Sequence, residues 1–596
     1  MKKLESINGK NLYYMFLAGA KNIIDNQADI NRINVYPVAD SDTGTNMAST
    51  IRTVIDSLKP DTSFKVTADA IGIAALTGAR GNSGIIFAQF LYGFSEEITD
   101  CHDITISEFA ESLKRSIKYL YEAIAHPVEG TILTVIREWV EFIHEQRHRF
   151  DDFTKLISES YEVATKSLSE TTMKLTELTI ANVVDAGAKG FVLFLEGMMD
   201  LLRGKNVKQI VALSAETQEG MIVEKVPDQL PEMRYCTEAM IEGENIDKNW
   251  LMGILEQYGD SVVVAGSSRK SRIHVHTNKP ADLFIDIRPA GKVTFQKVED
   301  MVKQYESAYA RKYKIAIVTD STCDLPEEII SKYQIYQIPI NMVVDGNHYL
   351  DGLTLKSDEF YRLQELSAEP PSTSQPSRNS FMNLYSQLVT NYDSVIAIHL
   401  ASKLSGTYNS SLQAAEKIAG ESGKRIDVID SVSISGGLGL LVKRAAEMID
   451  SGSTHDEIVS TISERAKPYA IFVSIRTLEH LVRSGRVSPL KGRVAKALNL
   501  LPVISVGPEG KAELLQKAFS YNSNRRKVLE NVRKAIGNRI LYGYSITHVS
   551  SGSDADFFIN EMKSITGKDP SFISNVTPSL GLHTGKGTVA IAFQMQ

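Results

Sequence analysis

Two carboxylates two residues apart, Asp40 and Asp42, lie in the segment Asn34-Val-Tyr-Pro-Val-Ala-Asp-Ser-Asp-Thr-Gly-Thr-Asn-Met47, among hydroxyls and just ahead of a helix-forming stretch. Such a pair can reach one hard cation from a loop, while Thr43, Thr45 and the amides around Gly44 can meet phosphate oxygens at a helix N-terminus. The same residues also suit an Asx-rich turn followed by a capped helix, and Asp-x-Asp alone does not choose between the two. Three Gly-containing turns weigh on the metal–phosphate side: Thr77-Gly-Ala-Arg-Gly-Asn-Ser-Gly84, His126-Pro-Val-Glu-Gly-Thr131 and Asn182-Val-Val-Asp-Ala-Gly-Ala-Lys-Gly190. In the first, Gly78, Gly81 and Gly84 let backbone approach a ligand, and Asn82 and Ser83 stand where a helix beginning at Ile85 would need its cap. Each turn taken alone reads as a loop. Together with Asp40 and Asp42 they suggest helix N-termini converging on one anion.

A second constellation lies further on. Arg272-Ile-His-Val-His-Thr277 alternates, and in a strand His274 and His276 share one face. With Cys236 of Arg234-Tyr-Cys-Thr-Glu238 they could supply three ligands of a zinc site, or be polar residues of a half-exposed strand. A third group is a set of hydroxyl-rich turns: Thr319-Asp-Ser-Thr-Cys-Asp324, Ser372-Thr-Ser-Gln-Pro376, Leu404-Ser-Gly-Thr-Tyr408 and Pro578-Ser-Leu-Gly-Leu-His-Thr-Gly585.

The elements that must position these groups change character along the chain. At 596 residues it exceeds one core and divides into roughly three or four domains. The composition, 43% hydrophobic and 23% charged with net charge −7, carries no Lys/Arg run and argues against nucleic-acid binding. Cys101, Cys236 and Cys323 are odd in number and far apart, which argues against a disulfide framework and for a reducing cytoplasm. Lys2, Lys3 and the apolar patch Leu12 to Ala20 imitate a signal peptide. The helical spacing of Leu12, Met15, Phe16, Gly19, Ala20 and Ile23 reads instead as an amphipathic first helix, and no run reaches the roughly 18 apolar residues of a membrane span. Helical pattern fills residues 1–205, a polar linker with Pro227 follows over 206–230, and β-type runs such as Ser261-Val-Val-Val-Ala265 mark an α+β segment over 231–313. From 314 to 596 strands alternate with helices. Ile315-Ala-Ile-Val-Thr-Asp-Ser-Thr322 and Ser394-Val-Ile-Ala-Ile-His-Leu-Ala401 are two of the strands, and the pattern predicts a parallel sheet with ligands at strand C-termini.

The motifs of residues 1–200, with Pro-Val-Glu-Gly-Thr-Ile-Leu-Thr-Val among them, resemble the nucleotide-binding domain of bacterial fatty acid kinase, itself similar to the ATP-binding L subunit of dihydroxyacetone kinase. That resemblance implies an all-helical barrel holding ATP through Mg2+. On it Asp40 and Asp42 are metal ligands, Asn34 stands in the place of a third acidic one, and Thr43, Thr45, Asn46, Gly81, Asn82 and Ser83 hold the nucleotide. The family usually has Pro-Asp-Gly-Asp where this chain has Ala39-Asp-Ser-Asp42, and a double glycine at Gly187-Ala188. The Tyr-Cys-Thr-Glu and His-Val-His-Thr pieces resemble the middle domain of fatty acid kinases. The chain from 314 to 596 resembles the DegV family of fatty-acid-binding proteins through Thr-Ser-Gln-Pro-Ser, Leu-Ser-Gly-Thr-Tyr, Ser484-Gly-Arg-Val-Ser488 and the terminal His-Thr-Gly-x-Gly. This implies a two-part α/β fold whose head-group clamp is Thr373, Ser374, Ser405, Gly406, Arg486 and His583.

The three resemblances imply a fused, cytoplasmic fatty acid kinase that makes acyl phosphate and ADP, with Asp40, Asp42, Thr43, Arg486 and His583 at the chemistry. The partners expected with this reading are a fatty acid, ATP, a second copy of the chain in a homodimer and a membrane surface met transiently to exchange acyl chains. A lipid carrier or sensor with a regulatory nucleotide site is one alternative. The other is a small-polyol kinase, which needs a partner domain with a substrate-binding histidine that the sequence does not show.

Overall fold

The computed structural model describes residues 3–36, 42–204, 230–465, 469–483 and 501–595. The chain forms two compact units, residues 1–309 and 310–596.

The first unit opens, among its described residues, with ten helices: α1 (Gly9–Asp25), α2 (Gln27–Arg32), α3 (Thr43–Ser57), α4 (Phe64–Gly78), α5 (Gly81–Glu97), α6 (Ile106–Glu122), α7 (Ile132–Gln146), α8 (Phe153–Lys174), α9 (Thr176–Ala181) and α10 (Ala186–Leu202). A short antiparallel pair, β1 (Ser6–Asn8) with β2 (Asp103–Thr105), leads into α1 and α6. Both helices start with a reciprocal capping box, Asn8 with Asn11 and Thr105 with Glu108, which satisfies two orphan donors at each start. Met15, Phe16, Ala20 and Ile23 of α1 are buried, as their spacing requires. Phe87, Phe90, Trp139, Phe191 and Phe194 meet edge to face at the centre of the bundle. Among the described residues no helix is long and apolar enough to cross a membrane.

The rest of this unit is built on an antiparallel sheet in the order β4-β5-β3-β6, from β3 (Tyr235–Glu242), β4 (Gly259–Gly266), β5 (Lys270–Thr277) and β6 (Lys292–Asp300), with the helices Lys248–Tyr258, Pro280–Asp286 and Met301–Tyr309. Its outer strand is not left open. Val264 N–H donates to Ala123 O at 2.8 Å, Ala125 N–H donates to Val262 O at 3.4 Å, and Gly266 N–H donates to Gln89 Oε1 of α5 at 2.7 Å. Val263 and Ala265 belong to the same apolar core as the helices.

The described residues of the second unit form three sheets. The first is parallel, β13-β12-β7-β8, from β7 (Ile315–Asp320), β8 (Tyr336–Ile338), β12 (Ser394–His399) and β13 (Arg425–Asp430). A small antiparallel sheet, β10-β9-β11, holds β9 (Asn341–Val344), β10 (Asn347–Leu350) and β11 (Ser372–Ser374). The third, β16-β15-β14-β19-β17-β18, comprises β14 (Tyr469–Ser474), β15 (Leu501–Val506), β16 (Ala512–Ala518), β17 (Leu541–His548), β18 (Phe572–Asn575) and β19 (Val589–Met595). Here the parallel expectation fails: only β17 and β18 run parallel, and the other four pairings are antiparallel. The turn Gly507-Pro-Glu-Gly-Lys511, closed by Gly507 N–H on Lys511 O, is too short for a crossover and makes β15 and β16 a hairpin.

Asp324 ties the parallel sheet to the mixed one. It sits at φ 48°, accepts from Ser435 Oγ (2.6 Å) and Thr577 N–H (2.9 Å), and is buried. Burial pushes its carboxyl up to about 7, against those donors and reinforced by the charge of Asp351. An unfolded Asp releases its proton near pH 4. The folded chain keeps a proton that the unfolded chain has lost, so this contribution to stability is complete below about pH 4 and gone once the pH has risen through about 7. Asp324→Asn is therefore expected to flatten the decline of unfolding free energy between pH 5 and 8, by up to roughly 3 kcal/mol. Urea unfolding of both proteins across that range measures it. An unchanged slope in the variant would locate the pH dependence elsewhere.

Candidate functional site

The helical part brings four helix N-termini together. At the start of α3, Asp42 occupies the N-cap position without capping its own helix, and its Oδ2 accepts from Asn46 Nδ2 at 2.6 Å. A Cβ on Gly81 would stand 2.3 Å from that same Asn46 Nδ2, and one on Gly84 would stand 2.6 Å from Thr50 Oγ1, so glycine is what lets α5 lie against α3. A Cβ on Gly187 would stand 2.7 Å from Ser83 Oγ, which brings α10 to the start of α5. Asp185, the N-cap of α10, accepts from Ala188 N–H at 2.8 Å and from the amide of Ile132 in α7. Burial raises its carboxyl to about 6 against these donors.

Several expected roles change in detail. Helix α5 begins at Gly81, four residues before the expected Ile85, so Asn82 and Ser83 lie in its first turn rather than cap it. Thr45 is not free: its amide donates to Asn31 Oδ1 and its hydroxyl accepts from Asn31 Nδ2. Asn34, Thr43, Thr45 and Asn46 are all buried. Asn82 Oδ1 is buried with no hydrogen-bond partner among the described residues. An orphaned polar atom beside convergent helix N-termini and an uncapping carboxylate fits a magnesium–phosphate group. Asp40 lies outside the described residues.

The sheet of the first unit turns a polar face onto this region. In the register Cys236 lies opposite His276 and Glu299, Glu238 opposite His274 and Lys297, and Met240 opposite Arg272. Cys236, Glu238, Arg272, His274, His276, Lys297 and Glu299 consequently share one face. The candidate ligand atoms of Cys236, His274 and His276 lie within 4.8 Å of one another. His276 Nδ1 is 3.5 Å from Asp260 Oδ1, a carboxylate placed to orient the ring. Burial lowers His274 toward the neutral imidazole that a metal needs, and its Nε2 is buried without a partner among the described residues. Burial, with Glu238 and Glu299 nearby, raises the metal-free Cys236 thiol well above its ordinary value, and Asp42 adds to the same effect. One thiol and two imidazoles, one of them with an orphaned nitrogen, fit Zn2+ with a coordination position to spare. Burial alone would raise Glu238, but Arg272 and His274 outweigh it and hold the carboxyl well below its usual range.

In the second unit β11 pairs with β9 and sets Thr373 Oγ1 3.5 Å from His583 Nε2. His583 rides on the helix Pro578–Thr584, whose start is pinned through Asp351. The buried Asp351 carboxylate accepts from Ser579 N–H (2.8 Å), Ser579 Oγ (2.6 Å) and Ser321 Oγ (2.6 Å). Ser405 and Gly406 precede the helix Thr407–Ser422, with Ser405 Oγ 2.9 Å from Thr407 Oγ1. Gln375 joins the two segments: its Nε2 donates to Ser410 Oγ at 3.1 Å, and a Cβ on Gly406 would meet its Oε1. Ser374 ends β11. Arg486 lies outside the described residues. Nothing in the sequence singles out Tyr361; its buried hydroxyl, without a partner among the described residues, lies against Gly581 two residues from His583.

Three family models match. Residues 37–200 match the DAK2 domain, residues 232–308 the FakA-like middle domain of fatty acid kinase, and residues 314–596 the DegV family of uncharacterised proteins. Among curated proteins the chain is similar to an uncharacterised protein of Staphylococcus saprophyticus, 32% identical over 343 residues covering 55% of this chain and 62% of that one. It is also similar to the protein YloV of Bacillus subtilis, 32% identical over 52% of this chain and 59% of that one. The matches thus span about three fifths of these relatives' length. Among solved structures it is similar to a fatty-acid-binding DegV family protein from Thermus thermophilus, with 26% identity, 48% of this chain and 100% of that chain covered, and a TM-score of 0.44.

Proposed function

We propose, for a chain that joins a DAK2 domain, a FakA-like middle domain of fatty acid kinase and a DegV-family domain, that it is a fatty acid kinase whose acyl carrier is part of the same polypeptide. The observation that carries this reading is the convergence of four helix N-termini beside Asp42 and the orphaned Asn82 carbonyl oxygen. In the reaction a carboxylate oxygen of the fatty acid forms a bond to the γ-phosphorus of ATP as the bond to the ADP oxygen breaks, giving acyl phosphate and ADP. Positioning and charge neutralisation supply most of such a transfer. Asp40 and Asp42 would hold the magnesium ion, with Asn34 in the place of a third ligand. Thr43, Ser83 and the amides of Thr43 and Gly44 in α3 and of Asn82 and Ser83 in α5 donate to phosphate oxygens, and Asn46 fixes the Asp42 carboxylate. Magnesium bound there neutralises phosphate charge. Thr373, Ser405, Arg486 and His583 hold the carboxylate of the fatty acid. Exchange of acyl chains at a membrane surface and a homodimeric assembly belong to the same reading.

Purified protein incubated with ATP, magnesium and fatty acid, then trapped with hydroxylamine, is expected to yield acyl hydroxamate. Fatty acid binding without hydroxamate would support a carrier instead, and product from dihydroxyacetone alone a polyol kinase.

Zinc on the middle sheet is part of the proposal. Protein purified without chelators is expected to carry about one zinc per chain, lost in Cys236→Ser and His274→Ala. Elemental analysis decides it, and metal-free wild-type protein would return these residues to ordinary strand polar groups.

A further inference from the structure

The polar sheet face also reaches the turn that delivers α5. Glu238 and Arg272 are 1% and 2% exposed, and Arg272 Nη2 donates to Glu238 Oε2 at 2.6 Å. From this pair two bonds cross into the helical part. Gly81 N–H, at the first residue of α5, donates to Glu238 Oε1 at 2.8 Å. Arg272 Nη1 donates to Thr77 O, in the last turn of α4, at 3.3 Å. Thr77 and Gly81 bracket the turn that presents Asn82 and Ser83, and on its other side Gly81, at φ 58°, is pressed against Asn46.

We propose that Glu238 and Arg272 are positioning residues of the nucleotide site, a clamp by which the middle sheet holds both ends of the Thr77–Gly81 turn and so aims the first turn of α5. The inference rests on the nucleotide reading above. The signs of the charges suit it. A helix leaves unpaired N–H groups and partial positive charge at its start, and unpaired carbonyls and partial negative charge at its end. The carboxylate meets the start of α5 and the guanidinium meets the end of α4, so one ion pair complements two successive helix ends. By accepting the Gly81 amide, Glu238 leaves the next amides, those of Asn82 and Ser83, as the ones directed at a ligand. The ring of Phe295 lies 4.8 Å from the guanidinium and backs it on the sheet side. His274 Nδ1 stands 3.6 Å from Glu238 Oε1, which places the candidate metal cluster one contact from the turn.

Glu238→Gln keeps the shape but cannot accept from both Gly81 and Arg272 with two oxygens. In the full-length chain its magnesium–ADP affinity, measured by calorimetry, is expected to fall about tenfold or more, with fatty acid affinity as in wild type. Arg272→Met is expected to do the same, and the double variant to lose less than the sum of the two. Wild-type protein that binds no nucleotide would overturn the nucleotide reading and the clamp with it. Affinity within twofold of wild type in the folded single variants would overturn the clamp alone. If the variants do not fold, residue-resolved hydrogen exchange of the nucleotide-free wild type decides: the Gly81 amide, bonded to Glu238, should exchange as slowly as the body of α5, and fast exchange of that amide would overturn the clamp.

Discussion

Asp42→Ala is expected to lower magnesium–nucleotide affinity by roughly a hundredfold or more while leaving fatty acid affinity unchanged. The size follows from the job of the side chain. Asp42 stands at the N-terminus of α3 but its side chain does not cap that helix, so the carboxylate contributes nothing in that role. Instead Asn46 holds it in place. Loss of one anionic ligand weakens a hard-cation site far more than loss of a neutral donor, because Mg2+ takes few protein ligands and surrenders its waters reluctantly. Asp42→Asn, which keeps the shape and removes the charge, should fall between wild type and Asp42→Ala. The acyl residues lie in the other compact unit, which is why their binding should not change. Calorimetry with magnesium–ADP and a fluorescent fatty acid titration measure the two affinities, and full nucleotide affinity in Asp42→Ala would move the metal elsewhere.

Arg486→Ala is expected to weaken fatty acid binding by roughly thirtyfold or more, and more than Thr373→Val or Ser405→Ala. A carboxylate taken from water into an apolar-walled slot loses hydration worth several kcal/mol, and an unpaired charge there would not bind well. Removing one partner of a desolvated, hydrogen-bonded charge pair costs about 2–5 kcal/mol, whereas a neutral hydroxyl donating to an ionised acceptor contributes about 1–3 kcal/mol. Thr373 should matter more than Ser405, since its hydroxyl stands by the His583 imidazole whereas Ser405 is engaged with Thr407. None of the three changes should alter nucleotide affinity, and all should lower acyl phosphate formation. Unchanged fatty acid affinity in all three variants would mean that the head group is not what this unit holds.

Where the sequence is legible, a local pattern explains it. The apolar run Ser261 to Ala265 and the period-two alternation of Arg272 to Thr277 read as strands, and the structure has β4 and β5 there. The same period, carried one step further, reaches the clamp, since Arg272 lies two residues before His274 and Glu238 two after Cys236. Those charges give no signal of their own, because an isolated Glu or Arg in a strand is usually solvated. Only the cover supplied by α4 and α5 makes them buried partners. The start of α5 is missed for a related reason. Gly81 and Gly84 read as turn residues, yet their missing side chains serve the close approach to Asn46 and Thr50, a tertiary contact with no local signal. The mixed sheet is readable in part, since Gly507-Pro-Glu-Gly510 is a hairpin signal. The partners of β14 and β17 are not, because pairing across distant segments leaves no trace in spacing.

The seam along β4 decides how this chain can be divided. A cut between α10 and β3 would strip that strand of its bonds to Ala123 and Ala125, bare Val263 and Ala265, and leave Glu238 and Arg272 facing water. An uncovered apolar edge of this kind recruits other strands, so the severed sheet would aggregate rather than survive as a spare part. Residues 3–309 should accordingly melt in one step, and a chimera that exchanges the sheet for another should fail unless α4, α5 and the Ala123–Ala125 segment travel with it.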